Sequence, residues 1–260
     1  MSIRISKYHG AGNDFLIVDQ KLAEPFLTQE IIKKLCHRRF GIGADGLIVL
    51  SREGGTDFTM EYYNSDGNLA EMCGNGARCA VAWANHEGWV GENARFLAGD
   101  GLHVGDVLDG EGQSLLVRVS LTIAVEPEQL DDYTYYANTG VPHNIRIIGD
   151  VDVIDVEIEG RLLRNNDMFA PDGANINFVS PAKDGYNIRT YERGVEGETL
   201  ACGTGVAASA LILNRFKNAE YPIVLHARGG TLIVEEQQGV LMLTGPAQKV
   251  FDCNINPEAI

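Results

Sequence analysis

"AEMCGNGARC" at residues 70–79 and "LACGTGVAA" at residues 200–208 carry one device twice: a Cys-Gly-x-Gly turn, led by Cys73 and by Cys202, ahead of a helix-like run of small and apolar residues. Glycines at a helix start let the backbone curl tightly. They leave amide N–H groups pointing out of the helix end, where the dipole favours an anion. A cysteine at that end feels the same field, which stabilises thiolate and lowers a thiol pKa from its usual value of about 8.5. Each turn can therefore hold a carboxylate and present a base beside it.

A cysteine taken alone is most often a small core residue, and Cys36, Cys79 and Cys253 are read that way. Cys79 follows Cys73 by six residues, which at about 100° per residue turns it off the Cys73 face. Duplication is what separates Cys73 and Cys202 from this class, because the same chemical device recurs in two halves that can face each other across a cleft. A metal site is disfavoured: Cys73 and Cys79 lack the C-x2-4-C spacing of zinc ribbons and fingers.

Outward from the two turns, the halves share an order of elements. "FLIVD", "ADGLIVLS" and "DFTMEYYN" read as strands, and "TQEIIKKLCHRRFG" as a helix capped by a Thr and closed by Gly41. The first Cys-Gly helix ends near Gly88. "GDGLHVGDVLDGEGQS" marks hairpin turns approaching a domain boundary near residue 116. The second half runs through "YYANTGVPHNIRII", a helix-poor middle, "YNIRTYE", the second Cys-Gly helix and closing hairpins, so an internal structural repeat is expected.

The 260 residues, 45% of them hydrophobic, suffice for one large or two medium globular domains. A formal charge of -15 repels phosphate backbones, which argues against nucleic acid as a partner. No apolar run approaches the roughly 18 residues of a membrane span, and "MSIRISKYHG" lacks a secretory h-region. Five cysteines, an odd number, suit a reducing compartment; a cytoplasmic location is expected.

Inverting a stereocentre beside a carboxylate requires one base to take the α-proton and an acid on the other face to return one. Two thiols meet that need, one as thiolate and one as thiol. The sequence offers no P-loop, Rossmann fingerprint or G-x-S-x-G elbow. A racemase or epimerase working without a cofactor is the natural outcome.

Six ordered motifs then carry a resemblance: "KYHGAGNDF", "RFGIGADGL" (39–47), "YYNSDGNLAEMCGNGARC" (62–79), "TGVPH" (139–143), "GANINFV" (173–179) and "YERGVEGETLACGTG" (191–205). Over nearly its whole length the chain resembles the diaminopimelate epimerase family, pyridoxal-phosphate-independent enzymes that interconvert LL- and meso-diaminopimelate. The resemblance implies an α/β (α+β) fold of two pseudo-symmetric domains, each a curved, barrel-like, mainly antiparallel sheet around a central helix, with the active site in the cleft between them. The domains are expected over 1–116 and 117–249, with 250–260 returning to the first. No cofactor and no metal are expected, the partner is a small amino acid substrate, and a homodimer is implied.

By the same resemblance Cys73 and Cys202 match the catalytic cysteines. Gly74 and Asn75, with Gly203 and Thr204, match the groups that cradle the α-carboxylate. Asn13, Asn64, Asn175 and Arg193 match residues that hold the far end of the substrate; a guanidinium suits the second carboxylate. Glu192 and His143 match positions near the thiols, where they could orient or deprotonate a cysteine and recognise the substrate ammonium. Two positions depart from the pattern. Val141 stands where many members have Asn, with Asn138, Thr139 and Asn144 as candidates to supply the lost amide, and Asn68 replaces the usual Ser. The competing functions are a racemase of another amino acid, such as glutamate or proline, and a thiol-based metal-binding module.

Overall fold

The structure is a computed structural model describing residues 2–23, 26–52, 55–70, 72–123, 125–166, 169, 171 and 173–256. Residues 257–260 of the segment expected to return to the first domain lie outside these. Two compact units emerge: Met1–Val119 with Pro246–Ile260, and Ser120–Gly245.

The first unit contains β1 (Ile3–Gly10), β2 (Asn13–Asp19), α1 (Gln20–Ala23), α2 (Gln29–Cys36), β3 (Gly46–Ser51), β4 (Phe58–Asn64), β5 (Leu69–Ala70), α3 (Gly74–His86), β6 (Asn93–Ala98), β7 (Gly101–Glu111) and most of β8 (Ser114–Leu121). The second contains β9 (Val125–Gln129), β10 (Thr134–Asn138), β11 (Pro142–Ile147), α4 (Val156–Arg164), β12 (Asn175–Ala182), β13 (Gly185–Glu192), β14 (Gly197–Thr199), α5 (Gly203–Lys217), β15 (Ile223–Ala227), β16 (Gly230–Gln237) and the start of β17 (Val240–Ile255). Residue 116, the expected boundary, sits inside β8.

Connectivity repeats step for step. In the first unit β1 and β2 form an antiparallel hairpin, β2 and β3 are parallel, β3–β4 and β4–β5 are antiparallel, β4 and β6 are parallel across α3, and β6–β7 and β7–β8 are antiparallel. The second unit runs the same series through β10, β11, β12, β13, β14, α5, β15, β16 and β17. The last part of β17 pairs antiparallel with β1. β17 also pairs β8, and Lys249 N–H donates to the Gln113 carbonyl at 2.8 Å, so the strands of the first unit close on themselves.

Each unit wraps its sheet around one helix. Residues Gly74–Ala84 of α3 and Gly203–Leu213 of α5 are buried without interruption. Helices made mostly of small and apolar residues are stable when enclosed, and even Arg78, the one charged residue in these two runs, is buried. The outer surface of each sheet takes an amphipathic helix. α2 packs Ile32, Leu35 and Cys36 on Leu16, Val18, Leu47 and Val49. α4 joins Val156 to Ile176, Phe178 and Tyr191, and its Gly160 admits the Tyr191 ring so closely that any β-carbon would collide with it.

Two local expectations change. Helix α2 begins at the expected cap, with Thr28 Oγ1 accepting from Ile31 N, but it stops at Cys36, ahead of Gly41. His37 turns the chain there: its N–H donates to Lys34 O, and its imidazole Nδ1 accepts from Arg39 N and Phe40 N, ending the ladder. The middle of the second half is not helix-poor, because "VEIEGRLLR" forms α4. Asp155 caps it through Ile158 N, and acidic residues occupy its first turn with basic ones in its last, as the helix dipole favours.

Candidate active site

Cys73 is the N-cap of α3, in extended conformation, and its Sγ accepts from Gly76 N at 3.4 Å. A two-residue hairpin turn, Ala11–Gly12, with positive φ at both residues, delivers Asn13 to this helix end. Asn13 Nδ2 donates to Asp45 Oδ2 at 2.8 Å, which turns Oδ1 the other way. That oxygen accepts from Asn75 Nδ2 at 3.2 Å and from the Cys73 thiol at 3.7 Å. Behind it Asp14 is bound by Arg38 and Lys7. Burial works to raise the Asp14 pKa, but the hydrogen bonds from these two cations override it and hold the carboxyl down to about 2.

In the second unit Cys202 is the N-cap of α5, again extended and buried, but its side chain makes no capping hydrogen bond. Sγ lies 3.5 Å from Thr204 Oγ1. Thr204 Oγ1 lies 3.0 Å from His143 Nε2, and His143 Nδ1 lies 3.1 Å from Asn177 Nδ2. Asn177 Nδ2 also donates to the Asn144 carbonyl, and Asn177 Oδ1 accepts from Thr190. The amide orientation follows from these partners, so His143 Nδ1 accepts and Nε2 carries the proton toward Thr204. Burial pushes the His143 pKa down to about 3, with the Arg193 charge adding to the effect. The imidazole is therefore neutral near pH 7, and the Thr204 hydroxyl that receives its N–H is left to donate toward sulfur.

The remaining substrate candidates divide between the units. Gly74, Asn75, Gly203 and Thr204 are buried in the first turns of their helices. Asn175, also buried, accepts the Arg193 backbone N–H on Oδ1 at 2.7 Å. Arg193 is half-buried just past β13, and no carboxylate among the described residues pairs with its guanidinium. Glu192 is the last residue of β13, where its carbonyl accepts from Glu196 N. Asn64 is exposed at the end of β4, in a turn where its N–H donates to the Asn68 carbonyl. Of the candidates to replace the amide lost at Val141, Asn144 is buried, Asn138 Oδ1 accepts from Gly140 N, and Thr139 Oγ1 donates to the Thr204 carbonyl.

The cysteines read as core residues lie apart from the two helix starts. Cys36 and Cys79 are buried, and burial pushes the Cys36 thiol up to about 12 and Cys79 higher still. Cys253 is half-buried rather than buried, with its pKa also raised by desolvation. Among the described residues no group of three or more His, Cys, Asp and Glu side chains is placed to hold a metal ion.

Three participants lie within the quoted motifs but are not among the site residues read from the sequence: Asp45, Asn177 and Arg78. Arg78 is fully buried on α3, with Nη1 donating to Gly74 O at 3.2 Å and Nη2 to Asn75 Oδ1 at 2.8 Å. Its signal was present in the sequence as a lone cation inside "GARCAVAWA". Asn177 left no such trace, since nothing in a strand sequence says which inward residue meets a histidine.

A curved-sheet unit built twice, each copy enclosing one helix, defines a distinct fold class. A solved structure of a phenazine biosynthesis protein of the PhzF family from Bacillus anthracis has it, with a TM-score of 0.75 over 98% of this chain and 99% of that one, at 15% identity. Within the class, the chain belongs to the diaminopimelate epimerase family, whose model matches residues 5–111 and 135–250, a span that includes every candidate residue above. A diaminopimelate epimerase of Flavobacterium psychrophilum is 41% identical over 97% of this chain and 100% of its own length. One from Aquifex aeolicus is 37% identical over 98% of both.

Proposed function

We propose that this protein is an isomerase that interconverts LL- and meso-2,6-diaminopimelate, supplying lysine and peptidoglycan precursors. The observation that carries the reading is the repeated one: in each unit a cysteine starts the enclosed helix of a chain that belongs to the diaminopimelate epimerase family. The reaction needs a group on each face of the α-carbon, and we assign those roles to Cys73 and Cys202. One sulfur, as thiolate, takes the α-proton and becomes thiol. The electron pair left on carbon is delocalised into the α-carboxylate, and the other thiol gives its proton to the opposite face and becomes thiolate. Charge and protons balance, and the reverse reaction exchanges the two roles.

The side chains support specific parts in this scheme. The N–H groups of Gly74, Asn75, Gly203 and Thr204 suit the α-carboxylate, because helix starts favour anions. Arg193, without a carboxylate partner among the described residues, suits the distal carboxylate, with Asn13, Asn64 and Asn175 around the far end and Glu192 for the ammonium. His143 orients rather than deprotonates: an imidazole with its pKa down at about 3 is a poor base for a thiol, whereas its N–H fixes the Thr204 hydroxyl toward Cys202. Five free cysteines suit the cytoplasm, and no helix among the described residues is long and apolar enough to cross a membrane. Family resemblance supports a homodimer, which light scattering checks.

The test is incubation with LL-diaminopimelate, L-glutamate and L-proline in heavy water, without added cofactor, following α-deuterium uptake and inversion. Exchange and inversion of diaminopimelate alone are expected. Absence of α-exchange in every amino acid with freshly reduced protein sinks the reading, and preferential turnover of glutamate or proline replaces the substrate.

A further inference from the structure

Arg78 is a buried cation whose hydrogen-bond partners are both neutral: the carbonyl of Gly74 and the amide oxygen of Asn75. Its Nε has no acceptor, and no carboxylate pairs with it among the described residues. A buried charge without a counter-ion is strongly disfavoured, and an apolar side chain of similar size would fill the same space at less cost. The neighbourhood is nonetheless shaped to admit it. A β-carbon on Gly10 would lie 2.9 Å from Asn75 O and 3.2 Å from Arg78 Nη2, so the bare glycine lets strand β1 and the guanidinium share that space.

The two described carboxylates linked to this helix end through Asn13 do not serve Arg78. Asp14 and Asp45, reached through Asn13, are both bound by Arg38, and Asp14 also by Lys7. On α3 itself the titratable neighbours of Arg78 are Cys79, which is fully buried, and Cys73, which is half-buried at the helix start. Within α3, the anion that can face this cation is the one that forms when Cys73 ionises.

We propose that Arg78 is a positioning residue that holds Asn75 against the Asn13–Cys73 contact and supplies the standing positive charge for a Cys73 thiolate. The claim rests on Cys73 being a working thiol, as in the function proposed above. Burial lowers the Arg78 pKa to about 10, with Cys79 and Cys73 opposing the drop, so the guanidinium stays charged near neutrality. No cation occupies the matching place in the second unit, where Ala207 stands five residues after Cys202 as Arg78 does after Cys73.

The experiment is site-resolved alkylation of the full-length protein with iodoacetamide across pH, read by peptide mass spectrometry, for wild type, Arg78→Met and Arg78→Lys. Arg78→Met is expected to slow Cys73 alkylation about tenfold near pH 7 and to move its pH midpoint up by about one unit, leaving Cys202 unchanged. Arg78→Lys is expected to keep the midpoint, because the charge remains, yet to lose several-fold in kcat, because an ammonium cannot fork between Gly74 O and Asn75 Oδ1. A folded Arg78→Met protein with an unchanged Cys73 midpoint overturns the proposal. Should Arg78→Met not fold, a Cys73 midpoint shifted in Arg78→Lys overturns it, and a retained midpoint with reduced kcat supports it. Thiol titration needs no amino acid, so a Cys73 shift without diaminopimelate turnover rejects the epimerase reading alone. Normal turnover with no shift rejects the Arg78 role alone.

Discussion

The starts of α3 and α5 share a backbone and differ in almost everything attached to it. At α3 the sulfur of Cys73 caps its own helix through Gly76, touches the amide of Asn13, and has the Arg78 cation in the same helix. At α5 the sulfur of Cys202 makes no cap and meets a hydroxyl, backed by a neutral imidazole. The first end carries its cation within the helix, whereas at the second the neutral imidazole backs the sulfur-facing Thr204, and the charge of Arg193 that acts on it lies outside the helix. Duplication of the fold thus explains the two geometries, while the side chains set two electrostatic conditions. In the two-base scheme proposed above one thiol is ionised while the other keeps its proton, and the unequal surroundings would set which state the resting protein favours.

The largest effect expected is the loss of either sulfur. Cys73→Ser and Cys202→Ser should each lower epimerisation by about 10³-fold or more, since a hydroxyl is far too weak a base to take the α-proton and a poorer acid to return it. The measurement is inversion of diaminopimelate coupled to solvent-proton uptake. Activity within tenfold of wild type in either variant would break the equivalence of the two helix starts.

Next comes the second glycine of each motif. A β-carbon on Gly205 collides with Asn177 Oδ1 and sits 3.3 Å from His143 Cε1, inside a fully bonded polar network. On Gly76 it meets the ends of flexible side chains, Ile48 Cδ1 at 3.2 Å and Met60 Cε at 3.4 Å, besides Cys73 Cβ at 3.4 Å. Gly205→Ala should cost about 1–3 kcal/mol of stability, as overpacking does, whereas Gly76→Ala gains back most of its smaller clash in helix propensity and should stay under about 1 kcal/mol. Thermal unfolding of the two variants checks the order. A Gly76→Ala protein less stable than Gly205→Ala would reverse the picture of a soft first site and a tightly bonded second.

What the sequence made legible follows the same division. The repeated Cys-Gly-x-Gly turns pointed to both helix starts, because a turn followed by small apolar residues is a local signal. The strand-and-helix series around "ADGLIVLS" and "YNIRTYE" was legible for the same reason. "VEIEGRLLR" was passed over as a helix: its charges dominate the composition, and only its contact with Tyr191 shows which face is buried. Asn177 and Asp45 were invisible because their roles depend on cross-strand register, which sets His143 opposite Asn175 and leaves Asn177 next on that face. Arg78 is visible in the sequence only as a cation among small and apolar residues, and its role depends on the lack of a described counter-ion, which is a property of packing alone.

The third effect separates the units by pH. His143 has a folded pKa of about 3 against an ordinary value of 6.5, so below pH 6.5 the unfolded chain binds a proton that the folded one refuses. Stability contributed by the neutral imidazole is fully present above that value and falls by up to about 1.4 kcal/mol per pH unit as the pH drops toward 3. His86, with its pKa also lowered by burial, acts in the same direction. Asp14, held at about 2, loses its contribution only below its ordinary 3.8. Unfolding midpoints between about pH 6.5 and 4.5 should therefore decline in wild type and decline less in His143→Asn. Equal slopes for the two proteins would mean that His143 takes up its proton in the folded state.

The smallest effect tests how the hairpin preceding each helix grips it. In the first unit the hairpin brings Gly10, with no side chain, against Asn75 O. In the second it brings Thr139, whose Oγ1 donates to Thr204 O at 2.8 Å. Asn75 and Thr204 are equivalent positions, each second in its helix. The Thr204 carbonyl keeps its helical acceptor role without Thr139, so Thr139→Ala removes one neutral hydrogen bond and strands no charge. Its cost should be about 1 kcal/mol. Thr204 is also the link between His143 and Cys202, so a carbonyl released by even a few tenths of an ångström loosens the hydroxyl that faces sulfur. Thr139→Ala should therefore lower kcat a few-fold with KM nearly constant, and Thr139→Ser, which keeps the hydroxyl, should restore it. A fall in stability with kcat untouched would show that the hairpin braces the helix without aiming Thr204, making the two hairpins equivalent after all.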